Sequence, residues 1–342
     1  MTQREDALPG GKLPLDLLAA VLAPLTPRDG RVRMGPRVGE DAAVIDLGDR
    51  LLVAAADPIT FATDEIGHYV VAVNANDIAV RGATPRWLLA TVLLPPGTTP
   101  DDVRALMAEL AAACRALAID LIGGHTEVTD AVSRPLVVGA MLGEVQPDRL
   151  VTTRGAQPGD ALLLGGALAI EGTAVLARQA APTLRARGVP ADILDRARAL
   201  LHTPGISIVA MARAVCDAVR PHALHDPTEG GLATALAELA AASGAGVHLD
   251  APVSLPVLPE TRAVCTALSL DPLGLLASGA LLVAVAPTDV AATLAALQAC
   301  GASGGVIGRV TEASAGLTMA VPAGTSALPN FTRDELARWF ET

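Results

Sequence analysis

Two acidic residues, Glu40 and Asp41, stand side by side in "VGEDAAVIDLG", directly before the apolar run Ala42-Ala43-Val44-Ile45. An isolated pair of this kind is commonly a solvated turn. It becomes a divalent-cation site only if further carboxylates arrive from elsewhere, because hard cations gather oxygen ligands from several elements. Candidates for that convergence are present. Asp57 closes the next apolar run, "LLVAAA" at 51–56, and Asp77 lies in "NANDIAVRG". Asn74, Asp77 and Arg81 are spaced i, i+3, i+7 and share one helical face. Asn and Asp compete for backbone hydrogen bonds inside a helix. Asn74, Asn76 and Asp77 in an apolar helix therefore form an exposed polar face, a network between helices, or an oxygen ligand set. Mg2+ favours such sets, with phosphate often completing its shell.

Three further places could carry chemistry. "LIGGHTEVT" (121–129) reads as a strand ending in Gly123-Gly124, followed by His125, Thr126 and Glu127. Paired glycines let a ligand approach the backbone closely, or make a simple turn beside a surface histidine. "LHDPTEGGLATALAEL" (224–239) sets His225-Asp226 before a turn and opens an Ala-rich helix near Thr228–Gly231, with Gly230 in the turn. A helix N-terminus flanked by glycines suits an anion; the plainer reading is a helix whose free amides are capped by Thr228 and Glu229. Lys12 is the only lysine among 25 Lys and Arg, and follows Pro9-Gly10-Gly11. A flexible arm there could fold an ammonium over a phosphate, although arginine bias alone would also leave one lysine. Arg134 and Arg154 either read an anionic substrate or lie on the surface. Neither G-x-x-x-x-G-K-[ST] nor a strand-to-helix G-x-G-x-x-G is present. "GASGGVIG" (301–308) follows a helix and leads into a strand, the reverse of a dinucleotide turn, and reads as a connecting loop.

The elements that must position these residues are α/β in pattern. Apolar strands at 51–56, "WLLATVLL", "IDLIGG" and "PLVVGAMLGEV" alternate with a helix from Thr63 or Asp64 to Gly82 and another from about Pro100 to Leu117. Asp57-Pro58 should end its strand, since proline removes a ladder donor. A polar, turn-rich stretch near 145–160 suggests a boundary. Beyond it come "ALLLGG", several Ala-rich helices, "ALLVAVA", the helix "TDVAATLAALQAC", two strands and a final amphipathic helix, "TRDELARWF". The expected divisions are 1–36 (leader and first helix), 37–148, 149–325 and 326–342. At 51% hydrophobic residues the 342-residue chain has ample core material, yet only 2% are aromatic, so Ala, Leu and Val must pack it. Mean hydropathy is +0.45, but the apolar runs are shorter than the roughly 20 residues of a spanning helix. A net charge of −11 without a basic stripe argues against nucleic acid. Four scattered cysteines without C-x-x-C read as buried reduced thiols, and with a polar N-terminus they point to the cytoplasm.

Taken together the segments resemble the aminoimidazole ribonucleotide synthetase (PurM-like) superfamily, which includes selenophosphate synthetase, thiamine-monophosphate kinase and the hydrogenase-maturation HypE proteins. "GEDAAVI", "TDEIG…NANDIAVRGATPRW", "GGHTEV", "HDPTEGGL" and "DPLGLLASGALLV" resemble that family's elements in the family's order, over roughly residues 10–320. The resemblance implies two α/β domains, the first contributing strands to a β-barrel shared by the subunits of a homodimer. It implies ATP and Mg2+ in the groove there, a small-molecule substrate and, for a HypE-like protein, a maturation partner. Carried over by motif, Asp41, Asp57 and Asp77 would hold Mg2+. Gly123, Gly124 and Thr126 would pack on the nucleotide with Asn74 beside them. Asp226, Thr228, Gly230 and Gly231 would face the substrate. Lys12 would steady the moving phosphoryl group, and His125 or His225 would act as acid or base. The reaction so implied is phosphoryl transfer from ATP to a substrate oxygen, as product or as activation for loss of water. A nucleotide-binding assembly protein that has lost turnover is the alternative. Glu40 stands where the family commonly has Asp, and His125 where several members have a carboxylate. The chain ends "LARWFET" with no cysteine after Cys300 and has none before Cys114, so neither HypE's tail reaction in its usual form nor selenophosphate synthetase's cysteine chemistry is expected.

Overall fold

The structure, a computed structural model, describes residues 8, 11–250 and 255–341; Pro9 and Gly10 of the leader lie outside them. Six strands, β1 (Val32–Met34), β2 (Ala42–Asp46), β3 (Leu51–Ile59), β4 (Thr84–Leu94), β5 (Asp120–Val128) and β6 (Leu136–Val145), form one sheet in the order β1-β2-β3-β6-β4-β5. All pairs are antiparallel except β4–β5, whose parallel pairing needs a crossover helix. That helix is α3 (Pro100–Ala116), opened by a Thr99–Asp102 capping box. A first helix, α1 (Leu15–Leu22), precedes the sheet, and α2 (Ile66–Ala79) packs across β3 and β6.

β3 buries alternate residues, Leu51, Val53 and Ala55, as a strand with one covered face must. It does not stop at Pro58. The pairing with β6 continues through Pro58 opposite Val138 to Ile59 opposite Val137. β2 has already ended opposite Ala55, so β3 has a bare side there, where a missing N–H is tolerated. Asp57 thus sits within a strand at a free edge, not in a turn.

The second sheet has seven strands in the order β13-β12-β9-β11-β7-β10-β8. These are β7 (Ala161–Gly165), β8 (Ala223–His225), β9 (Gly246–Leu249), β10 (Leu281–Val285), β11 (Gly304–Thr311), β12 (Leu317–Val321) and β13 (Gly324–Ala327). β11 begins at Gly304, so five of the eight residues of "GASGGVIG" are strand rather than loop. β10 is buried at every position, hence its unbroken apolar sequence. Helices α4 (Ile170–Gln179), α5 (Ala181–Ala186), α6 (Ala191–Ala199), α7 (Val209–Ala218), α8 (Gly231–Ser243), α9 (Pro259–Leu268), α10 (Val290–Ala299) and α11 (Glu335–Phe340) complete this half. The strands at 32–145 and those at 161–327 thus form separate sheets, giving the two-part α/β fold.

α2 joins the halves. It is buried nearly all round, which rules out an exposed polar face. Asn76 accepts from the Ile208 amide at 2.9 Å and donates to the Ile206 carbonyl at 2.9 Å, tying α2 to the second half. Its start differs from the reading above: neither Thr63 nor Asp64 caps it, and Glu65 occupies that place in a left-handed conformation (φ 52°). All four cysteines are free, with Cys114 and Cys265 buried but Cys300 exposed at the end of α10. Among the described residues no single helix is long and apolar enough to cross a membrane, although one bent pair, Ala191–Ala199 with Leu201–Ala218, passes by length and composition.

Candidate active site

The adjacent carboxylates of the opening motif part company. Glu40 turns inward and is paired with Arg81 from the end of α2, both side chains fully buried. The amides of Thr153 and Arg154 also donate to Glu40 at 3.3 Å, and the Thr153 hydroxyl lies 3.0 Å from the guanidinium. Glu40 is therefore a structural clasp between β2, α2 and the first segment of the second half. Asp41 faces outward.

Asp41 meets carboxylates from three other elements. Asp57 lies on β3, Asp77 on α2, and Asp226 just after β8. Donor atoms of Asp41, His225 and Asp226 lie within 4.8 Å of one another. Asp57 and Asp77 are close enough to share a hydrogen bond. Burial, then repulsion from Asp57, Asp226 and Asp41, pushes Asp77 well above the carboxylate range. Burial also raises Asp57 and Asp226, each further repelled by Asp41. Asp77 is 2% exposed and Asp226 1%, yet among the described residues Asp77 Oδ2 and both Asp226 oxygens have no hydrogen-bond partner. Buried polar atoms are almost always paired, so these orphans ask for a cation.

Two cations partly answer. Lys12 donates its amide to Glu229 at 2.7 Å and its Nζ to Glu238 at 3.1 Å. His225 lies 3.1 Å from Glu238 through Nε2. Burial opposes its charge, but the carboxylates of Asp226, 3.8 Å from Nδ1, and Glu238 outweigh that and lift it to about 10. Burial works against Glu238 too, and Lys12 with His225 overcomes it, holding Glu238 near 2. Against these two cations stand Asp41, Asp57, Asp77, Asp226, Glu229 and Glu238. The surplus is negative, and it suits a divalent metal.

Other members of the sequence-derived set take different places. Asn74 has no spare polar atom: it accepts from the Asp57 amide at 2.9 Å and donates to the carbonyls of Asp57 and Val70. It positions Asp57 and does not reach for a nucleotide. Gly230, not Thr228 or Glu229, forms the cap position of α8, without a side-chain cap. Its amide is taken by Asp334 at 2.6 Å, and that of Gly231 by the Thr228 carbonyl, so neither is free for an anion. β5 does not stop at Gly123-Gly124 but runs to Val128. A Cβ on Gly124 would meet the Ala90 carbonyl at 1.9 Å; the close approach is by the neighbouring strand. His125 bonds Glu127 at 3.1 Å on this exposed edge. Three strand spacings separate β5 from β3, about 14 Å, so Gly123, Gly124, His125 and Thr126 do not join the aspartates within one chain.

A cleft of about 660 Å³ opens beside Asp57 and Lys12 and runs toward Thr228, Glu171 and Ser278. The sequence reading gave Glu229 only as a helix cap and missed Glu238, Glu171 and Ser278. Glu171 and Glu238 carried a signal, each being the lone carboxylate of its helix, at positions where charge is rarely buried without purpose.

Fold and site together define a class: a two-part α/β protein whose buried carboxylates converge between the halves beside a cleft. The chain belongs to the AIR synthase related family, whose N-terminal domain model matches residues 39–145 and C-terminal domain model residues 157–319. It is 33% identical to the carbamoyl dehydratase HypE of Rhodobacter capsulatus over 318 residues, 90% of this chain and 88% of that one. With that of Cupriavidus necator it shares 33% over 271 residues, 77% of this chain and 73% of the other. The structure of a HypE in complex with ATP superimposes with TM-score 0.70 at 25% identity, covering 92% of this chain and 90% of that chain. A chain of a HypE–HypF complex does so with TM-score 0.73 at 23%, covering 92% and 99%, a likeness of fold.

Proposed function

We propose that this protein is an ATP- and Mg2+-dependent enzyme that activates an oxygen of a small substrate with the γ-phosphoryl group. One observation carries the reading: a buried surplus of carboxylates whose oxygens at Asp77 and Asp226 lack partners. The donor set is all oxygen apart from His225, as Mg2+ prefers. Asp41, Asp57 and Asp77 would hold the metal, with Asp226 across from Asp41. When bound, Mg2+ neutralises phosphate charge. Asn74 fixes Asp57, and the Glu40–Arg81 clasp fixes the backbone carrying Asp41. Lys12 supplies a cation at the mouth of the cleft. His225 is held charged between Asp226 and Glu238, which makes it a counter-charge more than a proton shuttle. The HypE relatives are named carbamoyl dehydratases; loss of water from a carbamoyl group needs its oxygen made into a leaving group, which phosphorylation achieves.

The β5 edge of the first sheet holds exposed Leu89, Ile122 and Val128, apolar surface that a second subunit would cover. That supports the shared barrel and homodimer, with β5 of one copy brought to the site of the other. The division at 148/149, into a nucleotide-side and a substrate-side domain, belongs to the same proposal, as does a maturation protein as partner.

The test compares wild type with Asp57→Asn and Asp77→Asn for Mg2+-dependent ATP binding and ADP formation. Without ligand, Asp77→Asn should melt higher than wild type, because it removes one of the repelling carboxylates, and MgATP should stabilise it less. No MgATP binding by wild type would overturn the reading. Binding without ADP under any condition would favour the assembly-protein alternative.

A further inference from the structure

In the cleft that Asp57 also lines, three polar side chains each leave one oxygen without a partner among the described residues. Tyr69 (1% exposed), Glu171 (5%) and Ser278 (1%) all line the cavity that contains Asp57. The Tyr69 hydroxyl, Glu171 Oε2 and Ser278 Oγ are buried without a hydrogen-bond partner among the described residues. They come from three separate elements, α2, α4 and the loop before β10, so their meeting belongs to no single turn or cap. Glu171 stands in the first turn of α4, where the helix end favours a carboxylate, yet burial pushes it up to about 7 against the pull of Ser278. Phe61, Val175 and Leu276 supply an apolar surround. A buried acceptor and two hydroxyls in an apolar wall are how a pocket fixes the orientation of a small ligand. Left empty, such groups each cost stability.

We propose that Glu171, with Ser278 and Tyr69, forms an anchoring subsite for an N–H-bearing group of the substrate, an amine or carboxamide nitrogen, placing the oxygen to be activated toward Asp57. Glu171 accepts from the nitrogen, and the hydroxyls donate to a neighbouring carbonyl when there is one. The role as substrate anchor rests on the ATP reading above; the binding itself does not.

The probes are acetamide and methylammonium, followed by saturation-transfer NMR on the full chain, wild type against Glu171→Leu and Glu171→Gln. Wild type should contact at least one probe, and Glu171→Leu should weaken that contact about tenfold or more. Methylammonium alone identifies an amine site. Acetamide alone, with contact kept in Glu171→Gln, identifies a carboxamide site. Glu171→Leu should also melt no lower than wild type, because it removes a buried group without a partner. No probe contact in wild type, or contact unchanged in Glu171→Leu, overturns the proposal, and so does a lower melting temperature in both variants. Asp57→Asn tests the nucleotide reading separately: losing MgATP while keeping the probe supports both, and a lost probe with MgATP kept overturns the anchoring role.

Discussion

Arg81→Met leaves Glu40 buried with no guanidinium. Both side chains are wholly inaccessible, and among the described residues only the two amides at 3.3 Å, and no second cation, remain to Glu40. Breaking a buried pair from one side costs about 3–5 kcal/mol. At about 2.1 cal/mol/K per residue, the 342 residues give an unfolding entropy near 0.7 kcal/mol/K. The expected loss is therefore about 4–7 °C in melting temperature. Removing both charges tests the cause. Glu40→Leu with Arg81→Met should recover most of the loss, because the cost lies in the uncompensated charge. Glu40→Asp installs the residue common in the family but shortens the arm. It should cost about 1–3 kcal/mol through the stretched bonds to Thr153 and Arg154. The assay is calorimetric melting of the four proteins at one pH. A melting point for Arg81→Met within about 1 °C of wild type would refute the clasp, as would a double variant no more stable than Arg81→Met.

Two further outcomes follow from the same geometry. Burial raises Glu171 from 4.5 to about 7, so its contribution to stability is complete below about pH 4.5. It is lost as pH rises to 7, because the unfolded chain releases a proton that the folded one keeps. The loss is about 3 kcal/mol. Glu171→Gln should flatten urea-derived stability between pH 5 and 8 by that order; Asp334, also raised to about 7 by burial, gives the same sign and remains. Parallel curves for wild type and variant would contradict this. Ile122 is 52% exposed on the edge strand, and Ile122→Lys should turn a dimer into a monomer by light scattering; a wild type already monomeric counts against the shared barrel.

The strands and helices were legible because their causes are local. Period-two burial in β3, the Thr99 capping box and the all-apolar β10 are each written within a dozen residues. Failures came where a neighbour decided. β3 passes through Pro58 because β2 ends early, and β5 passes through Gly124 because Ala90 lies against it. β8, β9 and β13 are too short to show a period.

The same division holds at the site. By itself the sequence determined which carboxylates were available, and through the family's motifs that Asp41, Asp57 and Asp77 should converge. Tertiary structure decided what each does. Glu40 and Asp41 are neighbours whose side chains point to opposite sides of the chain, so one closes a buried ion pair and the other faces a cluster. Asp226 and Glu238 join that cluster only because the packed halves bring Asp226 close to Asp77, with Glu238 bonded to the neighbouring His225. Charge and spacing are properties of the chain, but desolvation, which raises the proton affinity of Asp57, Asp77 and Asp226 and leaves them in need of a cation, exists only once the halves have packed.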